Sequence, residues 1–302
     1  MASSTVNFIN QVSVILRKQG NDNLQKKATF LDCLVHYFDP SKNLVSVKCS
    51  LSENLLTLCG PIVVRERSDE DIVTLQHSPE CPISHLTSED AGLIPQDTIN
   101  RGVAVGVSVV LESLDEKMLM TRRASHLRTF PNAWVPPGGH IELNESLYSA
   151  GLRELHEETG IKLNASSDSI KILCLWESVY PVLLGIDLPR RHHVVVYLIA
   201  KVNKPWNEIH DDIKLDPDEV QACTWLSPDI VKKLLSRKLD DAEMHEMFTV
   251  QDNGSLAPQP LDLKTMFYHL LWREGKVYSG SQLALSKWIE KKSIGPNQIS
   301  KI

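Results

Sequence analysis

Three glutamates, Glu154, Glu157 and Glu158, fall within five residues of a stretch that reads as a helix. At about 3.6 residues per turn they spread over an arc of roughly 100°. Like charges so placed repel one another, which is hard to justify for stability. The arrangement does suit a hard divalent cation, which takes oxygen ligands and completes its shell with water and phosphate oxygens. A solvated acidic face would need no pattern around it. Here a pattern surrounds it. Gly139 is followed after five residues by Glu145, and seven residues later the chain reads Arg153-Glu154-Leu155-His156-Glu157-Glu158-Thr159-Gly160-Ile161. Seven fixed polar or glycine positions, at about 7% usage each, coincide by chance on the order of once in 10⁸ starting points.

The local sequence predicts how this cluster is held. Asn144 is expected to cap the helix, with Glu145 in its first turn where the positive end of the dipole favours a carboxylate. Gly160 is the expected stop, because glycine adopts the left-handed conformation cheaply. Leu147, Ala150, Gly151 and Leu155 share a narrow face of apolar or small residues for packing on a sheet. Arg153 and Glu145 read as a buttress that fixes the loop before the helix. That loop, Trp134-Val135-Pro136-Pro137-Gly138-Gly139, is a stiff turn followed by close backbone approach, suited to phosphate or metal, and the Gly139 carbonyl is a further candidate ligand.

The spacing from Gly139 to Ile161 resembles, without a departure, the signature of the Nudix hydrolases. The resemblance implies an α/β architecture, the Nudix fold, in which a mixed β-sheet is sandwiched between helices. It implies hydrolysis of a nucleoside diphosphate linked to another moiety, with Mg²⁺ or Mn²⁺ as cofactor. Glu154, Glu157 and Glu158 are then the metal ligands and, with Arg153, the catalytic positions, while Gly139, Glu145 and Gly160 are structural. The general base is Glu158 itself or an acidic residue outside the motif; Asp211, Asp212, Asp216, Asp218 and Glu219 are candidates, with Glu219 preferred. The Trp134-to-Glu142 lead-in and the run from Arg191 to Tyr197 further resemble Nudix hydrolases linked to removal of the methylguanosine cap of messenger RNA, releasing m7GDP. A pyrophosphatase of small nucleotides is the alternative within enzymes. A binding module is disfavoured, since no motif carboxylate is lost.

Candidate substrate contacts are Arg190, Arg191, Trp134 and Tyr180, with Arg122, Arg123, Arg128 and Trp176 following the same logic of cation for phosphate and ring for base. His77, Cys81 and His85 sit four apart, but a fourth ligand at zinc spacing is missing, so this stretch is expected to be a plain loop.

The remaining sequence sets bounds. At 302 residues the chain is long for one minimal domain. Its organisation reads as an N-terminal β-rich domain and linker over 1–99, a Nudix domain over 100–240 and a C-terminal helical segment over 241–302. Strands are expected over 12–16, 30–38, 44–51, 62–65, 101–111, 117–123, 170–180, 193–202 and 221–226. Helices are expected over 228–239, 261–273 and 282–292, with Trp272 and Trp288 packing inward. A formal charge of −6 offers no global basic field for nucleic acid, so an RNA contact must be local. Six scattered cysteines without a Cys-x-x-Cys pair point to a reducing, cytoplasmic or nuclear compartment. No apolar run approaches the 18 residues of a membrane span. The expected partner is a nucleotide or capped-RNA substrate, with no membrane, and no protein partner is inferable.

Overall fold

In the computed structural model, which describes residues 11–20, 25–63, 71–163, 170–239, 243–251, 253–268 and 276–293, the alternating runs become strands and the motif becomes a helix. In chain order the elements are β1 (Ser13–Lys18), β2 (Gln25–Lys27), α1 (Leu34–Phe38), β3 (Leu44–Ser52), β4 (Leu55–Gly60), β5 (Ile72–Gln76), α2 (Ser88–Leu93) and α3 (Gln96–Ile99). There follow β6 (Ala104–Glu112), β7 (Met118–Arg123), β8 (Trp134–Val135), β9 (Gly138–His140), α4 (Leu147–Thr159), β10 (Ile170–Tyr180) and β11 (Arg191–Lys201). The chain closes with α5 (Trp206–Asp211), β12 (Val220–Leu226), α6 (Pro228–Leu235), β13 (Met244–Val250), β14 (Leu256–Asp262), α7 (Leu263–Tyr268) and α8 (Ser279–Ser293). Two units are drawn from separated segments. The first comprises Met1–Gly106, His140–Leu147 and Glu177–Val194; the second comprises Val107–Gly139, Tyr148–Trp176 and Val195–Ile302.

In the first unit, β3 and β4 form a hairpin whose two turn residues, Glu53 and Asn54, both take positive φ (51° and 62°). That is the primed turn whose twist matches a two-residue hairpin. β1 runs parallel to β4 and antiparallel to β2, and β5 lies antiparallel on β3. Alternate residues of β1, β4 and β5 are buried, as a half-covered sheet requires. Phe30, Cys81, Ile83, Ile94 and Val179 form a separate apolar cluster of this unit. Three expectations are corrected here. The run over 30–38 is not a strand: its C-terminal half is α1, started by Cys33, whose sulfur accepts from His36 N. The stretch after residue 70 is not an unstructured linker but carries β5, α2 and α3. The strand expected over 62–65 is absent at 62 and 63, and its remainder lies outside the described residues.

In the second unit the strand order is β14-β13-β12-β7-β6-β11-β10, with β8 on β7 and β9 on β6. β6, buried along nearly its whole length, reads as a central strand. α4 lies on this sheet through its smallest residue. A side chain at Gly151 would press on Leu198 Cδ1 at 2.8 Å and Val109 Cγ2 at 3.1 Å, so glycine lets helix and sheet approach. α8 is pinned by Trp288, which is fully buried and donates from Nε1 to Glu112 Oε2 at 2.6 Å. Lys292 and Lys201 also bind the Glu112 carboxylate, at 3.0 and 3.2 Å. The region beyond 240 is not only helical, as expected, but begins with the antiparallel hairpin of β13 and β14. Trp272 and the chain terminus lie outside the described residues.

Candidate active site

The helix bearing the three carboxylates starts at Leu147, two residues later than the sequence implies. Asn144 is not its cap. It takes a left-handed φ of 67° and its N–H donates to Asn54 Oδ1 at 2.6 Å, within the first unit. Glu145 accepts from Glu142 N at 3.0 Å, closing the turn before the helix. The C-terminal end is as expected. Gly160 has φ 74° and its N–H donates to His156 O at 2.7 Å, while Thr159 Oγ1 donates to Leu155 O.

Because α4 faces the sheet through Ala150, Gly151 and Leu155, the carboxylates on the neighbouring arc are carried toward the edge of that packing. Glu154 and Glu158 are 8% and 3% exposed, whereas the Glu157 side chain is half exposed. Arg153 Nη1 donates to Glu154 Oε1 at 2.9 Å and Glu157 Oε2 at 2.8 Å, so one guanidinium spans two of the three acids. Arg153, read from sequence as a buttress with Glu145, bonds two of the motif carboxylates directly.

The paired glycines bring backbone against these acids. A Cβ at Gly138 would overlap Val107 O and the Ser108 side chain, and one at Gly139 would occupy the place of the Glu154 carboxyl. The Gly138 N–H donates to the Glu158 carboxylate. Glu158 Oε2, however, is buried without a hydrogen-bond partner among the described residues. Burial pushes the Glu158 carboxyl up to about 8. The Arg123 guanidinium opposes this, and the Glu219 and Glu154 charges reinforce it. Burial likewise raises Glu154 above the usual carboxylate range, against the pull of Arg153.

Of the five acids outside the motif, Glu219 is the one whose charge reaches both Glu154 and Glu158. The loop before it is tied to the end of α4: Lys214 N donates to Thr159 O at 2.8 Å and Asp216 N to Glu158 O at 3.1 Å. Glu219 O in turn accepts from Ala124 N at 2.8 Å, at the end of β7. Arg123, a substrate candidate from sequence, is instead the cation whose field bears on Glu158. Its place at the end of β7, antiparallel to Val220 of β12, carries that information, but only once strand pairing is known.

A divalent cation fits this arrangement. Two buried carboxyls with raised affinity for protons, one oxygen left without a donor and a third, exposed carboxylate form an all-oxygen donor set of the kind Mg²⁺ and Mn²⁺ take. Such an ion would supply the positive charge that the protein's own groups leave short.

Among the substrate candidates, Trp134 is corrected. It is 1% exposed, in the core of the second unit with Val110, Met118 and Met120, and its ring cannot stack on a base. Trp176 packs in the same core. Tyr180, Arg190 and Arg191 belong to the first unit. Arg190 N donates to Tyr180 O at 2.8 Å, the Arg190 guanidinium pairs with Asp187, and Arg191 opens β11 with its side chain exposed.

Comparison with known proteins agrees with this geometry. Residues 101–248 match the NUDIX domain model. A Danio rerio protein named m7GpppN-mRNA hydrolase NUDT17 is 44% identical over 210 residues, 69% of this chain and 68% of that protein. Its Xenopus laevis namesake is 39% identical over 264 residues, 84% of this chain and 87% of the other, and the Homo sapiens one is 35% identical over 232 residues, 72% and 70%. With a relative of this similarity aligned along most of its length and the motif complete from Gly139 to Ile161, the chain belongs to the Nudix hydrolase family.

Proposed function

We propose that this protein hydrolyses the pyrophosphate linkage of the methylguanosine cap of messenger RNA, releasing m7GDP, with Mg²⁺ or Mn²⁺ as cofactor. Nudix hydrolases need divalent metal ions, and the observation that carries the site is the buried, unpartnered Glu158 Oε2 beside Glu154 and Glu157. The cap as substrate rests on relatives aligned over most of the chain that bear the name m7GpppN-mRNA hydrolase.

In this reading Glu154, Glu157 and Glu158 would hold the cation, whose charge would neutralise phosphate oxygens and acidify a bound water. Arg153 keeps Glu154 and Glu157 in one orientation between turnovers. Gly139 leaves room for the Glu154 carboxyl against the loop. Glu219 takes the proton as water oxygen bonds to phosphorus and the bridging P–O bond breaks, the leaving phosphate retaining the bond's electron pair.

The test is product analysis by mass spectrometry after incubation with methyl-capped RNA, unmethylated capped RNA and a panel of small nucleotides. Release of m7GDP from capped RNA, faster than cleavage of the small nucleotides, supports the proposal. Rapid cleavage of a small nucleotide with capped RNA untouched replaces it by the pyrophosphatase reading.

A further inference from the structure

The first unit contains a second cluster with the chemistry of a metal site, and it is built from different atoms. Cys33, His77 and Cys81 each offer a ligand atom, and these atoms lie within 4.8 Å of one another. Cys33 Sγ is 3.4 Å from His77 Nδ1. Tetrahedral zinc, with Zn–S about 2.3 Å and Zn–N about 2.0–2.1 Å, places sulfur and nitrogen ligands roughly 3.5 Å apart. We propose that Cys33, His77 and Cys81 bind a structural zinc ion.

Sequence alone weighs against this, because the ligand-type residues in view there are His77, Cys81 and His85. The fold changes the set. His85 Nε2 is engaged by Pro79 O at 2.8 Å, and Cys33, far away in sequence, comes in at the start of α1. The resulting pairing of a helix-start cysteine with His-x-x-x-Cys after β5 is one that spacing rules do not anticipate.

Hydrogen bonding satisfies the cluster only weakly. Thiols are weak donors and weak acceptors, and two of them gathered around a buried imidazole gain little. His77 is fully buried and its Nε2 has no hydrogen-bond partner among the described residues. A bound cation fits the charges around it. Glu177, also buried, accepts from Leu34 N and Val35 N at 2.7 and 3.1 Å, and lies 3.1 Å from His192 Nε2, whose other ring nitrogen is 2.8 Å from Phe30 O. With both nitrogens facing acceptors, His192 is held as the imidazolium and balances Glu177. The Glu177 contact also raises the His192 pKa, against the effect of burial. On binding, the two thiols would release their protons, and one Zn²⁺ would balance the resulting thiolates, leaving the buried ensemble neutral.

Glu177 Oε2 stands 3.5 Å from Cys33 Sγ and 3.6 Å from His77 Nδ1, beside the three ligands. It is the carboxylate available to complete or buttress the shell, in the manner of outer groups that orient zinc ligands. The ion would tie α1 to the loop after β5. Soft thiolate and imidazole donors select zinc over the hard cations that the α4 carboxylates take.

The experiment is elemental analysis of the full-length chain, purified under reducing conditions without chelator from zinc-supplemented medium. The expected result is about one zinc per chain, retained in Glu158→Gln and Cys49→Ser and lost in Cys33→Ser and Cys81→Ser. Should the cysteine variants fail to fold, the wild-type chain decides. After chelation and refilling with Co²⁺, it should show sulfur-to-cobalt charge-transfer absorption and the visible bands of tetrahedral cobalt. Zinc far below one per chain with no thiolate–cobalt absorption overturns the proposal. So does zinc that persists in folded Cys33→Ser and Cys81→Ser, or a Cys33–Cys81 disulfide in the freshly purified, unreduced protein.

Discussion

The carboxylates of α4 and the thiol–imidazole cluster of the first unit solve opposite problems with the same physics. On α4, oxygen donors of one sign are crowded at the edge of a helix–sheet contact, Glu157 is left half exposed, and one buried oxygen has no donor. On the proposed reading such a site is incomplete, able to accept and release a hard cation together with phosphate. Around Cys33, His77 and Cys81 the donors are soft, His77 is inaccessible, and the adjacent charge of Glu177 is already matched by His192. That site is closed, fit to hold one ion permanently. Exposure and donor hardness, more than the number of ligand-type residues, separate a working centre from a structural one.

The contrast is sharpened first by Glu158→Gln. It should lower kcat by at least ~10²-fold, since it removes a ligand without adding bulk, while leaving the zinc content unchanged. Next in size, stripping zinc with a strong chelator, or Cys81→Ser, should lower Tm by at least about 5 °C, the scale expected when a structural ion is lost. Excess Mg²⁺ should not restore it in a thermal melt. Third, Gly139→Ala should cost about 10- to 100-fold in kcat, because the methyl takes the place of the Glu154 carboxyl and misplacements of ~1 Å are this expensive. Its Tm should stay close to wild type.

A fourth prediction concerns pH. The folded-state pKa of Glu158 is raised to about 8 by burial, so the folded protein favours its protonated form. Its destabilising contribution is absent below the ordinary carboxylate range, near pH 4.5, and grows as pH rises toward 8. The metal-free protein should lose stability across that window, and Glu158→Gln should remove this loss. Mn²⁺ affinity, measured by titration calorimetry, should climb by up to about tenfold per pH unit between pH 6 and 8 as the competing proton leaves. A flat profile contradicts the assignment. The smallest effect is expected at Trp134→Phe, a core change that should reduce Tm by a few degrees and leave KM for capped RNA within about twofold. A large KM change would return this residue to the substrate site.

How much of this was legible beforehand follows the same division. The α4 site is contiguous: Gly139 through Gly160 carries both the ligands and the turns that aim them, so spacing alone reveals it. The glycine stop and the small face at Gly151 are local properties and were readable. The start of α4 was misplaced because Asn144, a good cap by type, is engaged by Asn54, a long-range contact that no local rule contains. Trp134 looked like a stacking platform because large aromatics serve both core and substrate, and only burial distinguishes the two. The Cys33–His77–Cys81 cluster was invisible as a set, since its first member is delivered by α1 from a stretch whose apolar run reads as a strand. Glu219 could be ranked among five acids, but its effect on Glu154 and Glu158 needs the fold of the loop tied to the end of α4.

The most direct test of the central claim is release of m7GDP from methyl-capped RNA by wild-type and Glu158→Gln protein, followed over a Mg²⁺ and Mn²⁺ titration at pH 8. The account predicts turnover that appears only with added divalent cation and falls by at least ~10²-fold in the variant at saturating metal. Cap cleavage that proceeds at the same rate in Glu158→Gln would contradict the assignment of the α4 carboxylates as the catalytic metal site.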